Sequence, residues 1–201
     1  MADDPTAFFA QLYAAARAGE AAIPWDRGGP REALAEWARM RRVSGDGRRA
    51  LVVGAGLGGD AEFTASLGFS TVAFDAVDTA VAMARERHPG SAVSYVVADV
   101  LQPPAEWREA FDLVVECLTV QSLPPPLHAA ATERIAGFVA PGGTLIVVAS
   151  VAEGPPGGPP WPLTRAEIGA FATGGVRVRF IERTGPIWRA EFTRPAGGSR
   201  R

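Results

Sequence analysis

The chain contains no lysine and no asparagine, one cysteine (Cys117) and two histidines (His88 and His128). All 20 of its basic residues are arginine. Without lysine there is no Walker A phosphate loop, no Schiff-base or pyridoxal-phosphate chemistry and no Tyr–Lys dehydrogenase pair. Without asparagine there is no glycosylation sequon and no Asn amide to read a nucleobase. A single cysteine excludes an internal disulfide, which suits a reducing cytoplasm. Cys117, His88 and His128 are too few and too scattered for a zinc site, so no metal is expected. No run of 18 apolar residues occurs, and Met1–Pro5 is acidic where a secretory signal would be basic. The expectation is a cytoplasmic protein without a membrane partner.

What is present is ordinary for a globular chain: 201 residues, 47% hydrophobic and 21% charged, enough to bury a core without a staple. A net charge of -2 argues against nucleic acid as a partner and leaves a small molecule. One domain over 1–201 is expected, with an N-terminal helical cap (1–45), a core (46–194) and a frayed Gly/Arg-rich tail (195–201).

The hydrophobic pattern alternates between strand and helix. Helices are expected at 6–19 and about 30–42, with a loop between them that holds Pro24-Trp25-Asp26. A strand at 49–53 runs into Gly54-Ala55-Gly56-Leu57-Gly58-Gly59-Asp60 and a helix over 60–67. Strands at 71–75 and 93–98 flank a helix at 78–88. A fourth strand covers 111–116, a helix 127–139 follows a triple proline, and a fifth strand covers 144–149 after a Pro141-Gly142-Gly143 turn. A Pro/Gly loop (154–162) and a short helix capped by Thr164 lead to period-2 runs at 176–180 and 187–192, read as an antiparallel hairpin. The fold class is α/β: a Rossmann-like, doubly wound, seven-stranded sheet, mostly parallel, with a C-terminal antiparallel hairpin and N-terminal helices.

Glycines at a strand-to-helix turn let the backbone approach a ligand and offer helix-terminal N–H groups to it. Asp75 closes the second strand, where a carboxylate can accept from both hydroxyls of a ribose, and Asp99 closes the third on the same edge. Either can instead cap the segment that follows. Gly54, Gly56 and Gly59 fit a dinucleotide loop, while Gly54, Gly56 and Gly58 fit the looser loop of S-adenosylmethionine enzymes. A dinucleotide oxidoreductase would need a second domain for which no residues remain. An NAD(P)-binding oxidoreductase and a non-catalytic nucleoside-binding module stay as the alternatives of another class.

From about residue 20 to 192 the chain resembles a small class I S-adenosylmethionine-dependent methyltransferase. Leu51–Asp60 matches the first motif of that superfamily, Phe74-Asp75 the second and Ala98-Asp99-Val100 the third. Phe111–Glu116 matches the strand-four motif and Ala140–Leu145 the turn before strand five. Pro24-Trp25-Asp26 with Gly28 is similar to the start of the thiopurine, thiol/halide and tellurite-resistance group. Strand four, however, ends Glu116-Cys117-Leu118-Thr119, unlike the thiopurine enzymes. The resemblance implies S-adenosyl-L-methionine as cofactor, held by Trp25, Gly54, Ala55, Gly56, Gly58, Asp60, Asp75, Ala76, Asp99, Val100 and Glu116.

A soft nucleophile such as a thiolate needs little beyond alignment, whereas a hydroxyl or amine needs a base. Glu116, at the carboxyl end of strand four, and His128, read as a solvent-facing residue at a helix start, are the candidate catalytic groups. Glu116 can equally accept from a backbone N–H or the methionine amine. Trp161, in the proline-rich loop, and Gln121 are the candidate substrate residues. Helix 6–19 with loop 20–30 can serve as a lid or pack permanently on the sheet. The function expected is methyl transfer to a small-molecule acceptor, a thiol or other soft nucleophile, with an O- or N-methyltransferase as the alternative.

Overall fold

Short apolar runs that end in glycine, aspartate or glutamate form the strands, and the helices between them return the chain to the same sheet edge. The computed structural model describes residues 6–154 and 157–197. Among them, β1 (Arg49–Val53), β2 (Ser70–Asp75), β3 (Ser94–Val97), β4 (Phe111–Cys117), β5 (Val139–Ser150), β6 (Arg177–Thr184) and β7 (Ile187–Thr193) form one sheet in the order β3-β2-β1-β4-β5-β7-β6. The first five run parallel, and β7 pairs antiparallel with both β5 and β6. The expected seven-stranded Rossmann-like class is therefore observed. No helix among the described residues is long and apolar enough to cross a membrane.

Alternation within the strands fills two cores. Leu51, Val53, Phe74 and Val114 face one side, against Trp107, Phe138 and helix α5 (Pro125–Gly137). Ala50, Val52, Ala73 and Val115 face the other, against α2 (Glu32–Arg41), α3 (Gly59–Ser66) and α4 (Asp78–Arg87). The amino-terminal α1 (Ala7–Arg17) packs on α4, and Tyr13, Ile23, Val77 and Ala80 make a third, smaller core. Strand β7, between β5 and β6, also clasps α2: Arg189 bonds Glu36 and Ala33 O, while Glu191 accepts from Trp37 Nε1 and Arg41 Nε.

Three departures from the sequence reading have physical causes. Pro141-Gly142-Gly143 lies inside β5 as an irregularity, because Gly142 and Gly143 exchange backbone hydrogen bonds with Arg194 beyond β7. Strand β6 continues to Thr184 because β7 pairs with it up to the Gly185-Pro186 turn. His128 is buried rather than solvent-facing, since α6 (Arg165–Gly169) brings Glu167 against it. The Thr164 cap is present as a reciprocal capping box with Glu167. Part of the expected N-terminal segment (1–5), proline loop (155–156) and tail (198–201) lies outside the described residues.

Candidate cofactor site

In a doubly wound sheet the ligand crevice forms where the strand order reverses, outside the carboxyl ends of the strands. Here that point lies between β1 and β4, where Val53 pairs with Glu116. The turn after β1 needs glycine for two reasons. Gly54, Gly56 and Gly58 have φ of 65°, 50° and 90°, in the left-handed region that side chains resist. Each is also crowded: a Cβ would lie 2.3 Å from Thr119 Oγ1 at Gly54, 3.2 Å from the Tyr13 hydroxyl at Gly56 and 2.3 Å from the Tyr95 hydroxyl at Gly58.

Asp75 stands beside this turn as the sequence placed it. One carboxylate oxygen accepts from Gly56 N at 2.9 Å and the other from Val77 N at 3.0 Å. Burial raises its pKa, and these backbone N–H groups oppose the rise. A carboxylate oxygen has two lone pairs, so each can accept a further hydrogen bond. Ala76, next to it, is exposed. Asp99 accepts from Leu101 N at 2.8 Å, which caps the turn after β3, and Val100 is buried in the core.

A cleft of about 60 Å³ opens against the glycine turn, lined by Trp25, Arg31, Gly54, Gly56, Asp60 and Cys117 among others. Trp25 Nε1 donates to the Tyr13 hydroxyl at 3.0 Å, and the pair lies over Gly56. Arg87 holds Asp26 with two bonds, which fixes the loop 20–30 to α4. Asp60 accepts from Arg31 N at 2.7 Å, and burial raises its pKa. Burial likewise pushes the Cys117 thiol up, with the neighbouring Asp60 carboxylate adding to the rise.

Glu116 is the most constrained group of the region. It is 0% exposed, and its Oε1 accepts from Thr119 N at 2.8 Å and Val120 N at 2.9 Å. Its Oε2 has no hydrogen-bond partner among the described residues. Burial pushes its pKa up to about 7, against the pull of the two N–H groups. Leu118, two residues on, has φ 64°, a strained conformation for a leucine that is typical of ligand sites. A buried carboxylate with one idle oxygen gains from a cation. S-adenosylmethionine carries two, its sulfonium and its ammonium, so this donor set fits it.

The other candidates are placed apart from this cleft. Both ring nitrogens of His128 are engaged, Nδ1 with Glu167 Oε1 and Nε2 with Leu123 O, each at 2.8 Å. Gln121 is buried with its side-chain amide on Ser150, and its main-chain carbonyl accepts from Trp161 N at 2.6 Å. Trp161 itself is half-buried on the carboxyl side of β4 and β5. Sequence reasoning missed Tyr13, Arg31, Thr119 and Tyr95 at the glycine turn. The only local signal for them was the Pro24-Trp25-Asp26 motif next to Arg31.

Comparisons with known proteins agree with this geometry. Residues 51–147, from β1 into β5, match the family profile described as a methyltransferase domain. No curated protein matches the sequence. Many solved structures do, at low identity. One is the protein in "Conversion of a Disulfide Bond into a Thioacetal Group during Echinomycin Biosynthesis", at 20% identity, 95% coverage of both chains and a TM-score of 0.75. Another is a TehB-like S-adenosylmethionine-dependent methyltransferase from Corynebacterium glutamicum, at 16% identity, 93% coverage of this chain and 96% of that one, TM-score 0.65. A third is an S-adenosylmethionine-dependent methyltransferase from Mesorhizobium loti, at 17% identity, with 79% and 97% coverage and a TM-score of 0.62. A glycine turn under a switch point, an acid ending β2 and the family profile point the same way: residues 51–147 match a methyltransferase domain, and the chain shares its fold with S-adenosylmethionine-dependent methyltransferases.

Proposed function

We propose that the chain acts as a single domain that transfers the methyl group of S-adenosylmethionine to a small-molecule sulfur nucleophile. The observation that carries this reading is the engagement of His128. With Nδ1 on Glu167 Oε1 and Nε2 on Leu123 O, both ring nitrogens are turned to protein partners and neither reaches an acceptor in the cleft. A thiolate arrives with its charge already in place. The sulfur chemistry of the echinomycin protein, on a similar fold, supports the same acceptor class.

The bound cofactor supplies a methyl group made electrophilic by its sulfonium. Asp75 would accept from the ribose hydroxyls while it holds the glycine turn in shape. Glu116 Oε2 would face the ammonium, and Arg31 the carboxylate, of the methionine portion. Asp60 sets the backbone of Arg31, and Asp99 with Val100 borders the adenine end. Trp25, bonded to Tyr13, closes the cleft from above and excludes water. Trp161, pinned through Gln121 to β5, would wall the acceptor. Alignment of nucleophile, carbon and sulfur can supply about 7–11 kcal/mol of the barrier.

A second reading rests on the Glu116 carboxylate. With a pKa near 7 it is poised as a base for a hydroxyl or amine acceptor. Turnover of labelled cofactor with matched thiols, phenols and amines separates the two. The sulfur reading expects rates that, at saturating cofactor, follow the ionisation of each thiol and keep the same pH profile in Glu116→Gln. Activity on phenols or amines alone, lost in Glu116→Gln, overturns it.

A further inference from the structure

At the opposite edge of the sheet, by the amino ends of β1 and β4, lies a larger cleft of about 290 Å³. Five residues of β1 separate it from the glycine turn, roughly 16 Å at about 3.3 Å per residue, so it is no part of the cofactor site. Arg41, Arg42, Arg48 and Arg179 line it, with Asp112 and Glu191 as its carboxylates. Four guanidiniums against two carboxylates make it net positive in a chain whose net charge is -2.

Both carboxylates are already engaged. Glu191 Oε2 accepts from Trp37 and Arg41, each at 2.8 Å, and Asp112 Oδ2 accepts from Arg49 N at 2.9 Å. The guanidiniums keep donors to spare. Arg42 sits at the left-handed C-cap of α2, and its side chain has no partner among the described residues. Arg179 touches Glu191 only at 3.7 Å and is 58% exposed. Arg48 is fixed in place over the ring of Phe69 and bonded to the carbonyls of Ser44 and Gly45, which prepays its ordering.

We propose that this cleft binds a compact oligophosphate, a small molecule with two or three linked phosphoryl groups. Guanidinium forks match phosphate oxygens two at a time, and several forks around one cleft suit a ligand with several charges. Recognition rests on the phosphates. The rings of Trp37 and Phe69 are 3% and 7% exposed, and Arg48 covers Phe69, so no aromatic face is open to stack a base.

The test titrates inorganic triphosphate into the whole protein at low salt by calorimetry. One saturable site is expected, tighter than for orthophosphate, similar for ATP, and undisturbed by S-adenosylhomocysteine. The Arg42→Gln/Arg179→Gln double variant should lose at least tenfold in affinity with an unchanged melting curve. If it melts early, Arg179→Gln alone serves, with a severalfold loss expected. Four results overturn the proposal: no saturation, displacement by S-adenosylhomocysteine, unchanged affinity in the variants, or a marked preference for ATP or single-stranded DNA over triphosphate.

Discussion

With the idle oxygen of Glu116 facing the cofactor's ammonium as proposed, stability and cofactor binding should depend on pH in opposite directions. Its pKa is raised from 4.5 to about 7, so the folded protein holds this proton more tightly than the unfolded chain does. The stability the group contributes is complete below pH 4.5 and is lost as pH rises through about 7. At about 1.4 kcal/mol per pKa unit, the loss for the cofactor-free protein is about 3 kcal/mol. Asp60 and Asp75, also raised by burial, act in the same direction. A bound ammonium favours the ionised form, so ligand affinity should climb over the same range. At pH 5.5 only roughly 3% of a group with a pKa near 7 is ionised, which predicts roughly 30-fold weaker binding than on the plateau. Glu116→Gln keeps an acceptor for Thr119 N and Val120 N while it removes the charge. Calorimetry with S-adenosylhomocysteine, which carries the same ammonium, should show a rising profile for the parent and a flat one, at least tenfold weaker at pH 8, for the variant. Urea melts of the ligand-free proteins should show the variant gaining on the parent as pH increases. A flat parental profile, or an equal slope in Glu116→Gln, would refute the pairing of Glu116 with the cofactor's cation.

Asp75→Ala should weaken S-adenosylhomocysteine at least tenfold by calorimetry. It should also cost about 1–3 kcal/mol in a denaturant melt for each N–H of Gly56 and Val77 left unpaired. In Gly58→Ala the new Cβ falls 2.3 Å from the Tyr95 hydroxyl at φ 90°, so a loss of about 2 kcal/mol or more is expected. Adding Tyr95→Phe should restore part of it. Trp107→Ala empties a space bounded by the rings of Phe74, Phe111 and Phe138, with an expected loss of about 3–5 kcal/mol in the same assay.

The strands and the glycine turn were legible because their signals are local. Arg49–Val53 reads as a strand from its own apolar run and is one, and Gly54, Gly56 and Gly58 declare a backbone that side chains cannot follow. What escaped the sequence depends on partners far along the chain. Pro141-Gly142-Gly143 reads as a turn until Arg194, some fifty residues on, supplies the pairing that keeps it in β5. His128 reads as exposed until Glu167 gives its ring a partner. Tyr13 and Arg31 reach the glycine turn only because α1 docks on α4 and Asp60 captures the backbone at Arg31. Gln121 reads as a polar side chain free for substrate, but its amide is consumed by Ser150.

The clasp between β7 and α2 sets an order in time. Arg189 and Glu191 meet Ala33, Glu36, Trp37 and Arg41 across 150 to 156 residues of sequence. A ribosome therefore finishes α2 long before it makes the strand that fastens it. Until then Trp37, 3% exposed in the finished protein, lacks the carboxylate that its indole N–H is built to meet. Contacts this distant in sequence form late and slowly. The apolar stripe of α2 can pack on Ala50, Val52 and Ala73 once β1 and β2 have been made, but the polar fastening that locks the helix in place waits for β7.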